Sequence, residues 1–391
     1  MPYIHVFVVF LKLGLTSFGG PIAHLAFFRT EFVVKRRWIN EAGYAELVAL
    51  CQFLPGPTSS QVGFALGLMR AGPLGALAAF AGFTLPSMLL MIGFALGGEM
   101  LPPDLARGVM AGLLCVAVAV VADAVLTMAR TLCPDPARAG LAIGAAVVVL
   151  LFGNGWVQML VIAAGALAGT LGVAPRAEGA GNGMPVPLRR STGVVFLGLF
   201  AALFVLVPLI SGEAGRLFAA LYQSGALVFG GGHVVLPLLE QALVAPGLIG
   251  PDLFLSGYAA AQALPGPLFS FAAYLGTVMS SGPGGSGGPG GAVLATVALF
   301  LPGFLVLLGV LPFWHIWRRH AIALQAVAGA NAAVVGVLGA ALYTPVFTSA
   351  AQGTYAVALS LAAFGLLRVG RVPPGLVVLF GGLIGLLPGL V

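Results

Sequence analysis

The sequence predicts an all-α polytopic membrane protein. It is built from two inverted-topology repeats whose broken, re-entrant helices meet at the membrane midplane. Three observations carry this reading. First, only 7% of the 391 residues are charged and 60% are hydrophobic, with a mean hydropathy of +1.09. A soluble domain carries about 25% charged residues and could not bury such an apolar surplus. A soluble enzyme, a disordered chain and a nucleic-acid binder are therefore excluded. Second, the chain repeats itself. Third, several apolar segments end at Gly and Pro well short of the roughly 20 residues a spanning helix needs.

The repeat is read from three pairs of motifs. Phe18-Gly19-Gly20 recurs as Phe229-Gly230-Gly231, an offset of 211 (229 − 18). Gln52-Phe53-Leu54-Pro55-Gly56-Pro57 recurs as Gln262-Ala263-Leu264-Pro265-Gly266-Pro267, an offset of 210 (262 − 52). Leu85-Pro86 recurs as Leu301-Pro302, an offset of 216 (301 − 85). The Gly-rich stretch Ser281 to Gly291 accounts for the jump as an insertion in the second copy. The domains follow: a first repeat over 1–173, a polar, Gly- and Pro-rich cytoplasmic linker over 174–191, a connecting transmembrane helix over 192–212, and a second repeat over 213–391.

Loop charge orients the copies. Lys35, Arg36 and Arg37 follow the segment opened by the first FGG, whereas the equivalent loop near Pro246 to Asp252 has no cation. Arg318 and Arg319 answer to Pro102-Pro103-Asp104 of the first copy, which carries no cation. Cations mark cytoplasmic loops, so the copies are expected to face opposite ways. The net charge of +6 is scattered over these loops and forms no nucleic-acid surface. Cys51, Cys115 and Cys133 have no metal or disulfide spacing and read as packing residues. Met1-Pro2 opens no basic n-region, so the first apolar stretch reads as mature protein.

In chain order, Tyr3 to Ser17 ends at FGGP and Ile22 to Val34 follows. Glu41 to Leu54 ends at PGP, and Thr58 to Met69 follows. The second copy repeats this with Gly215 to Val228, His233 to Val244, Leu253 to Leu264 and Leu268 to Ser280. Leu74 to Leu96, Leu105 to Met128, Ala292 to Leu311 and Ala321 to Leu342 read as full spans, with roughly nine such spans in all and four broken pairs. Non-helical backbone at membrane depth needs protein or water around it, so the breaks should converge, as in transporters with half-helices. Simple proline kinks in packed helices are the alternative.

Four converging helix N-termini would attract an anion. Gly19, Gly20, Gly56, Gly230, Gly231 and Gly266 would let backbone approach it. Thr58, Ser59, Ser270, His233, Gln52 and Gln262 would complete a polar cage, although either Gln could instead cap frayed carbonyls. Lys12 and Arg29 lie about 10 Å along a helix from the first break and would supply charge, or else snorkel to the surface. His24, Glu46 and Asp123 are candidates for ion coupling, with packing or pairing as the bland alternative. No metal-ligand set, nucleophile elbow or Walker motif is present, so neither an enzyme nor an ATP-driven pump is expected, and no cofactor.

FGGPIAHLAFFRTEFV from Phe18, with WINE and QFLPGP from Trp38, resembles the N-terminal motif of the chromate ion transporter (CHR) family. FGGGHVVLPLLE from Phe229 and QALPGPLFSFAAYLG from Gln262 resemble its C-terminal counterpart. The resemblance covers nearly the whole chain apart from the linker and implies the long, bidomain form. It implies a multi-pass protein of the bacterial inner membrane that exports chromate and confers chromate resistance, with sulfate as a structural mimic. Chromate, sulfate and membrane lipid are the expected partners; a homodimer stays open. Alternating access would rock the copies about a fixed site. An anion channel and a membrane-bound reductase are the competing classes, and no haem, flavin or Fe–S ligand pattern supports the second.

Overall fold

The computed structural model describes residues 1–18, 20–100, 102–152, 155–173, 188–228, 235–279, 288–314, 321–350 and 353–386, and every regular element among them is helical. The first copy contains α1 (Pro2–Thr16), α2 (Gly20–Phe28) continued by a π-turn (Arg29–Lys35), α3 (Glu41–Phe53), α4 (Thr58–Met100), α5 (Pro103–Leu132), α6 (Pro136–Phe152) and α7 (Gly155–Ala168). The connecting helix is α8 (Arg190–Leu206). The second copy contains α9 (Glu213–Ala226), α10 (Val235–Leu239) with its π-turn (Glu240–Val244), α11 (Pro251–Ala263), a 3₁₀ turn (Leu268–Ser270), α12 (Phe271–Met279), α13 (Pro289–Val310), α14 (Ala321–Ala341), α15 (Thr354–Arg368) and α16 (Pro374–Ile384). The linker residues 174–187, the motif residues Gly19 and Phe229 to His233, and Arg318 and Arg319 lie outside the described residues.

Local chemistry explains the ends. Asn40 accepts the Gly43 N–H at 2.8 Å and caps α3. Its counterpart α11 starts instead on Pro251, whose missing N–H costs nothing in the first turn. α3 and α11 match end to end at offset 210 (251 − 41; 263 − 53). α4 is not one straight rod. Ala71 (φ −145°) and Gly72 (φ +65°) leave helical geometry, and the backbones of Gly67 and Gly75 then touch. Residues 58–70 and 73–100 therefore form an antiparallel hairpin. The turn demands glycine at 72, because a side chain disfavours that φ. Gly276 meets Gly291 in the same way between α12 and α13. In sequence the Gly-rich insertion lies between these two helices, and its residues 281–287 are outside the described set.

Among the described residues, five helices are long and apolar enough to cross a membrane: Thr58–Gly97, Arg107–Leu132, Arg190–Leu209, Pro289–Phe313 and Leu324–Thr344. The reversal at Gly72 divides the first of these. Large apolar side chains such as Val8, Leu77, Leu89, Leu151, Val195, Leu361 and Leu379 are exposed on the outside, as lipid-facing positions require. The protein is a multi-pass membrane protein. The expected count of nine full spans is not reached among the described residues: α6, α7, α15 and α16 have 17, 14, 15 and 11 residues. The turn Gly370 to Pro373, with Arg371 at φ +52°, separates the last two.

The copies exchange helices. α5 of the first copy packs on α15 and α16 of the second, and α14 of the second packs on α6 and α7 of the first. Glycines make both contacts close. Gly108 and Gly112 lie against Gly385 and Gly381, and Gly169 and Gly165 lie against the backbones of Gln325 and Gly329. The two contacts are copies of one another: Gly381 and Gly385 answer to Gly165 and Gly169 (381 − 165 = 216), and Gly329 to Gly112 (329 − 112 = 217). Residues 1–173 and 213–391 thus interlock.

Candidate functional site

The helix breaks of the two copies meet in two places, and each meeting pairs the FGG end of one copy with the PGP turn of the other. In the first crossing, the Gly266 N–H donates to the Ser17 carbonyl at 2.9 Å. In the second, the Gly56 N–H donates to the Val228 carbonyl at 2.7 Å. Val228 answers to Ser17 (228 − 17 = 211) and Gly266 to Gly56 (266 − 56 = 210), so the two bonds are reciprocal. Both glycines have positive φ, +118° at Gly56 and +95° at Gly266, which turns their N–H groups out of the local chain. A Cβ on Gly56 would stand 2.9 Å from Gly303 Cα, and one on Gly266 2.9 Å from Ser87 Oγ. Ser87 and Gly303 each follow the recurring Leu-Pro pair, so the third motif joins the same crossings.

The backbone is shared but the side chains differ. At the first crossing His24, 1% exposed, reaches the Ser17 carbonyl through Nε2 at 3.1 Å and Ser59 Oγ through Nδ1 at 3.3 Å. A carbonyl only accepts, so Nε2 carries the proton and, in the neutral ring, Nδ1 accepts from the Ser59 hydroxyl. Ser87 Oγ donates to the Thr84 carbonyl at 3.0 Å and accordingly accepts from Ser270 Oγ at 2.6 Å. Gln61 serves the second crossing alone: its amide donates to the carbonyls of Pro55 (2.8 Å) and Gly303 (2.9 Å). At the first crossing its counterpart is Phe271, packed among Phe254, Tyr258 and Tyr274.

Several buried polar atoms near these crossings have no partner among the described residues: the hydroxyls of Ser17, Ser60 and Thr84 and the carbonyl oxygen of Gln61. Three of the four are O–H groups able to donate. Of these, Ser60 lies in the first turn of α4, where the first N–H groups of a helix lack intrahelical acceptors. Thr58 makes a long contact of 3.5 Å to the Cys51 carbonyl. These crossings and their buried hydroxyls form a donor-rich waist.

The other expected site residues are dispersed. Gly20, Gly56, Thr58, Ser59, Gly266, Ser270 and His24 lie at the waist; Gly19, Gly230, Gly231 and His233 lie outside the described residues. Lys12 is exposed on the stripe that also carries Val8 and Leu15. Arg29 pairs with Glu41 at 2.6 Å, both more than half exposed. It belongs to a basic end where Arg36 meets Glu31 and His5, and Arg70 lies over the Trp38 ring. Gln52 is exposed, whereas Gln262 is half-buried and bonded to the Tyr258 phenol. Glu46 is buried on the inner face of α3. Asp123 pairs with Arg368 at 3.3 Å where α5 meets α15, the pairing alternative for that carboxylate. Sequence reasoning missed Ser17, Ser60, Gln61, Thr84 and Ser87. Ser87 had a signal, since it follows the Leu-Pro mark, and so had Ser60, the offset-210 partner of Ser270.

The chromate transporter family profile matches residues 4–170 and 215–386. The chain belongs to the chromate transporter family. It is 31% identical over 320 residues to a chromate transport protein of Pseudomonas aeruginosa, covering 78% of this chain and 71% of that one. A probable chromate transport protein of Synechococcus elongatus is 27% identical over 339 residues, 85% of this chain and 82% of its own. A chromate transport protein of Cupriavidus metallidurans is 27% identical over 342 residues, 85% and 80% of the two chains. No solved structure matches. The two matched segments coincide with the two interlocking parts of the chain, 1–173 and 213–391. Among the described residues no group of three or more His, Cys, Asp or Glu comes together to hold a metal.

Proposed function

We propose that this chain is a secondary carrier that exports chromate across the bacterial inner membrane, with its two repeats inverted in the bilayer and the anion held at the crossed breaks. The observation that carries the reading is the reciprocal pair of hydrogen bonds, Gly266 to Ser17 and Gly56 to Val228. A two-fold relation in the membrane plane generates such a pair, and it brings helix N-termini to one depth, as in transporters built from inverted repeats. The unspent hydroxyls of Ser17, Ser60 and Thr84 suit a tetrahedral oxyanion, which accepts hydrogen bonds on every side. Sulfate fits the same donors and is the expected competitor.

The basic end around Arg29, Lys35, Arg36, Arg37 and Arg70 faces the cytoplasm by the positive-inside rule and concentrates the anion there. With the interior negative, each unit charge leaving gains about 2.3 kcal/mol per 100 mV, so a dianion gains about twice that. The test is labelled-chromate flux into proteoliposomes under an imposed potential, with sulfate, molybdate and phosphate as competitors. Saturable, potential-driven flux blocked by sulfate is the expected result. Absence of chromate flux from folded protein would overturn the substrate, and unitary currents would overturn the carrier in favour of a channel.

A further inference from the structure

His24 is a buried titratable side chain set among the hydroxyls of the waist. Both ring nitrogens are engaged. Nε2 donates to the Ser17 carbonyl at 3.1 Å, and Nδ1 accepts from the Ser59 hydroxyl at 3.3 Å. The Ser17 carbonyl also takes the Gly266 N–H, so the imidazole is fastened to the crossing itself. Phe83 stands perpendicular to the ring, with centroids 5.3 Å apart. The counterpart of His24 in the second copy is Val235 (235 − 24 = 211), which is buried and cannot titrate.

The neutral ring consumes a donor, because the Ser59 hydroxyl proton is spent on Nδ1. Protonation reverses that bond. Nδ1–H then donates to Ser59 Oγ, and the Ser59 hydroxyl proton is released to another acceptor. A proton thus gives the waist a positive charge and one more O–H donor. Both arise beside buried hydroxyls without partners, since Ser17 itself carries one and Ser60 follows Ser59. A buried imidazolium is costly by itself, and an anion beside it offsets the cost. Proton and anion therefore each raise the affinity for the other, since linkage is reciprocal.

α2 packs on α4 and on its own π-turn, and the ring reaches Ser17 at the end of α1. Among the described side chains, the ionisable groups of these elements are engaged elsewhere or exposed. Arg29 pairs with Glu41, Glu31 with Lys35 and Arg36, and Arg70 lies over Trp38. His5 bonds to Arg36, and Lys12 is exposed. On α3, Tyr44 donates its phenol proton to the Leu25 carbonyl, and Glu46 is a buried carboxylate.

We infer that His24 couples the oxyanion to a proton: the anion binds beside a His24 imidazolium and the released Ser59 hydroxyl, and a proton is taken up from solution as it binds. This rests on the carrier reading above and names the ion coupled at its site.

Sulfate is the probe, since unlike chromate it does not itself titrate near neutrality. Binding of labelled sulfate to detergent-solubilised protein is followed by equilibrium dialysis from about pH 8 to about pH 5, where histidine changes charge. Kd should fall on acidification by about tenfold, inside the roughly 5–150-fold span of coupled sites. His24→Gln keeps an amide able to donate to the Ser17 carbonyl but cannot titrate, so its Kd should stay level. In weak buffer at about pH 6, an indicator dye should report proton uptake when sulfate is added to the unaltered protein. That measurement needs no variant, so a misfolded His24→Gln does not shield the inference. A level Kd in the unaltered protein, or sulfate binding without proton uptake, would overturn the coupling. A pH dependence retained by His24→Gln would assign it to another group, such as Glu46 or His5, and overturn the part of His24. If the protein binds neither sulfate nor chromate at any pH, the carrier reading fails and the coupling with it.

Discussion

The first and second crossings share one backbone and divide the labour of their side chains. At the first, a buried histidine and two paired serines surround the Gly266–Ser17 bond, and hydroxyls remain unspent nearby. At the second, one amide, Gln61, spans two carbonyls beside the Gly56–Val228 bond. Symmetry in the main chain is therefore architectural, and asymmetry in the side chains is where binding chemistry is expected. The difference also explains why Ser270 has a partner and its counterpart Ser60 has none among the described residues: Ser87 faces the one, and Gly303 stands in the equivalent place for the other.

The sharpest way to break this comparison is at the glycines. Gly56→Ala and Gly266→Ala each force a side chain into positive φ and against a neighbour, which should cost about 2 kcal/mol or more. Thermal unfolding in detergent should show similar losses for both; a tolerant Gly266→Ala would end the equivalence of the crossings. Gln61→Leu comes next. It strands two buried carbonyls and should lose about 2 kcal/mol of stability while the chromate KM of the surviving protein stays unchanged. A raised KM would bring Gln61 into the anion's shell.

Ser87→Ala and Ser270→Ala should each cost about 1 kcal/mol, and the double variant little more than either, because they share one bond. Ser60→Ala should leave stability within about 0.5 kcal/mol, as it removes a hydroxyl with no partner among the described residues. It should still raise the chromate KM severalfold in flux assays, and an unchanged KM would take Ser60 out of the anion's shell. The smallest effect is expected at Asp123→Asn. The Arg368 pair is about a third exposed on each side and is worth under about 1 kcal/mol, so potential-driven flux should persist. Loss of flux there would restore Asp123 as a coupling group.

Much of this was legible in the sequence, for physical reasons. Gly and Pro clustered at the PGP turns stop helices, so the ends of α3 and α11 and the start of α4 could be read within a residue or two, whereas single prolines such as Pro86 and Pro302 sit inside helices. The repeat offset matched each break of one copy with its counterpart in the other. It could not say that each FGG end meets the PGP turn of the other copy, because pairing across 200 residues leaves no local pattern. Lys12 shows a second limit. Distance along the helix put it near the break, but its face is set by rotation, and it shares its stripe with Val8 and Leu15. Ser59 and Ser60 show a third: adjacent hydroxyls on a buried helix differ by 100° of rotation, and only one of them reaches His24.

The exchanged helices bear on how the chain is made. α5 ends at residue 132, and its partner α16 begins at residue 374, a delay of 242 residues (374 − 132). At about 5–20 residues per second, the Gly108–Gly112 face of α5 waits roughly 10–50 s for the surface that covers it. A chain stopped in the linker should accordingly be degraded when made alone and persist when the remainder is supplied alongside, which pulse-chase labelling would read. Through that interval the half-made protein presents a small-residue groove to the bilayer, and whichever insertion factor or lipid occupies it acts as a temporary stand-in for the C-terminus.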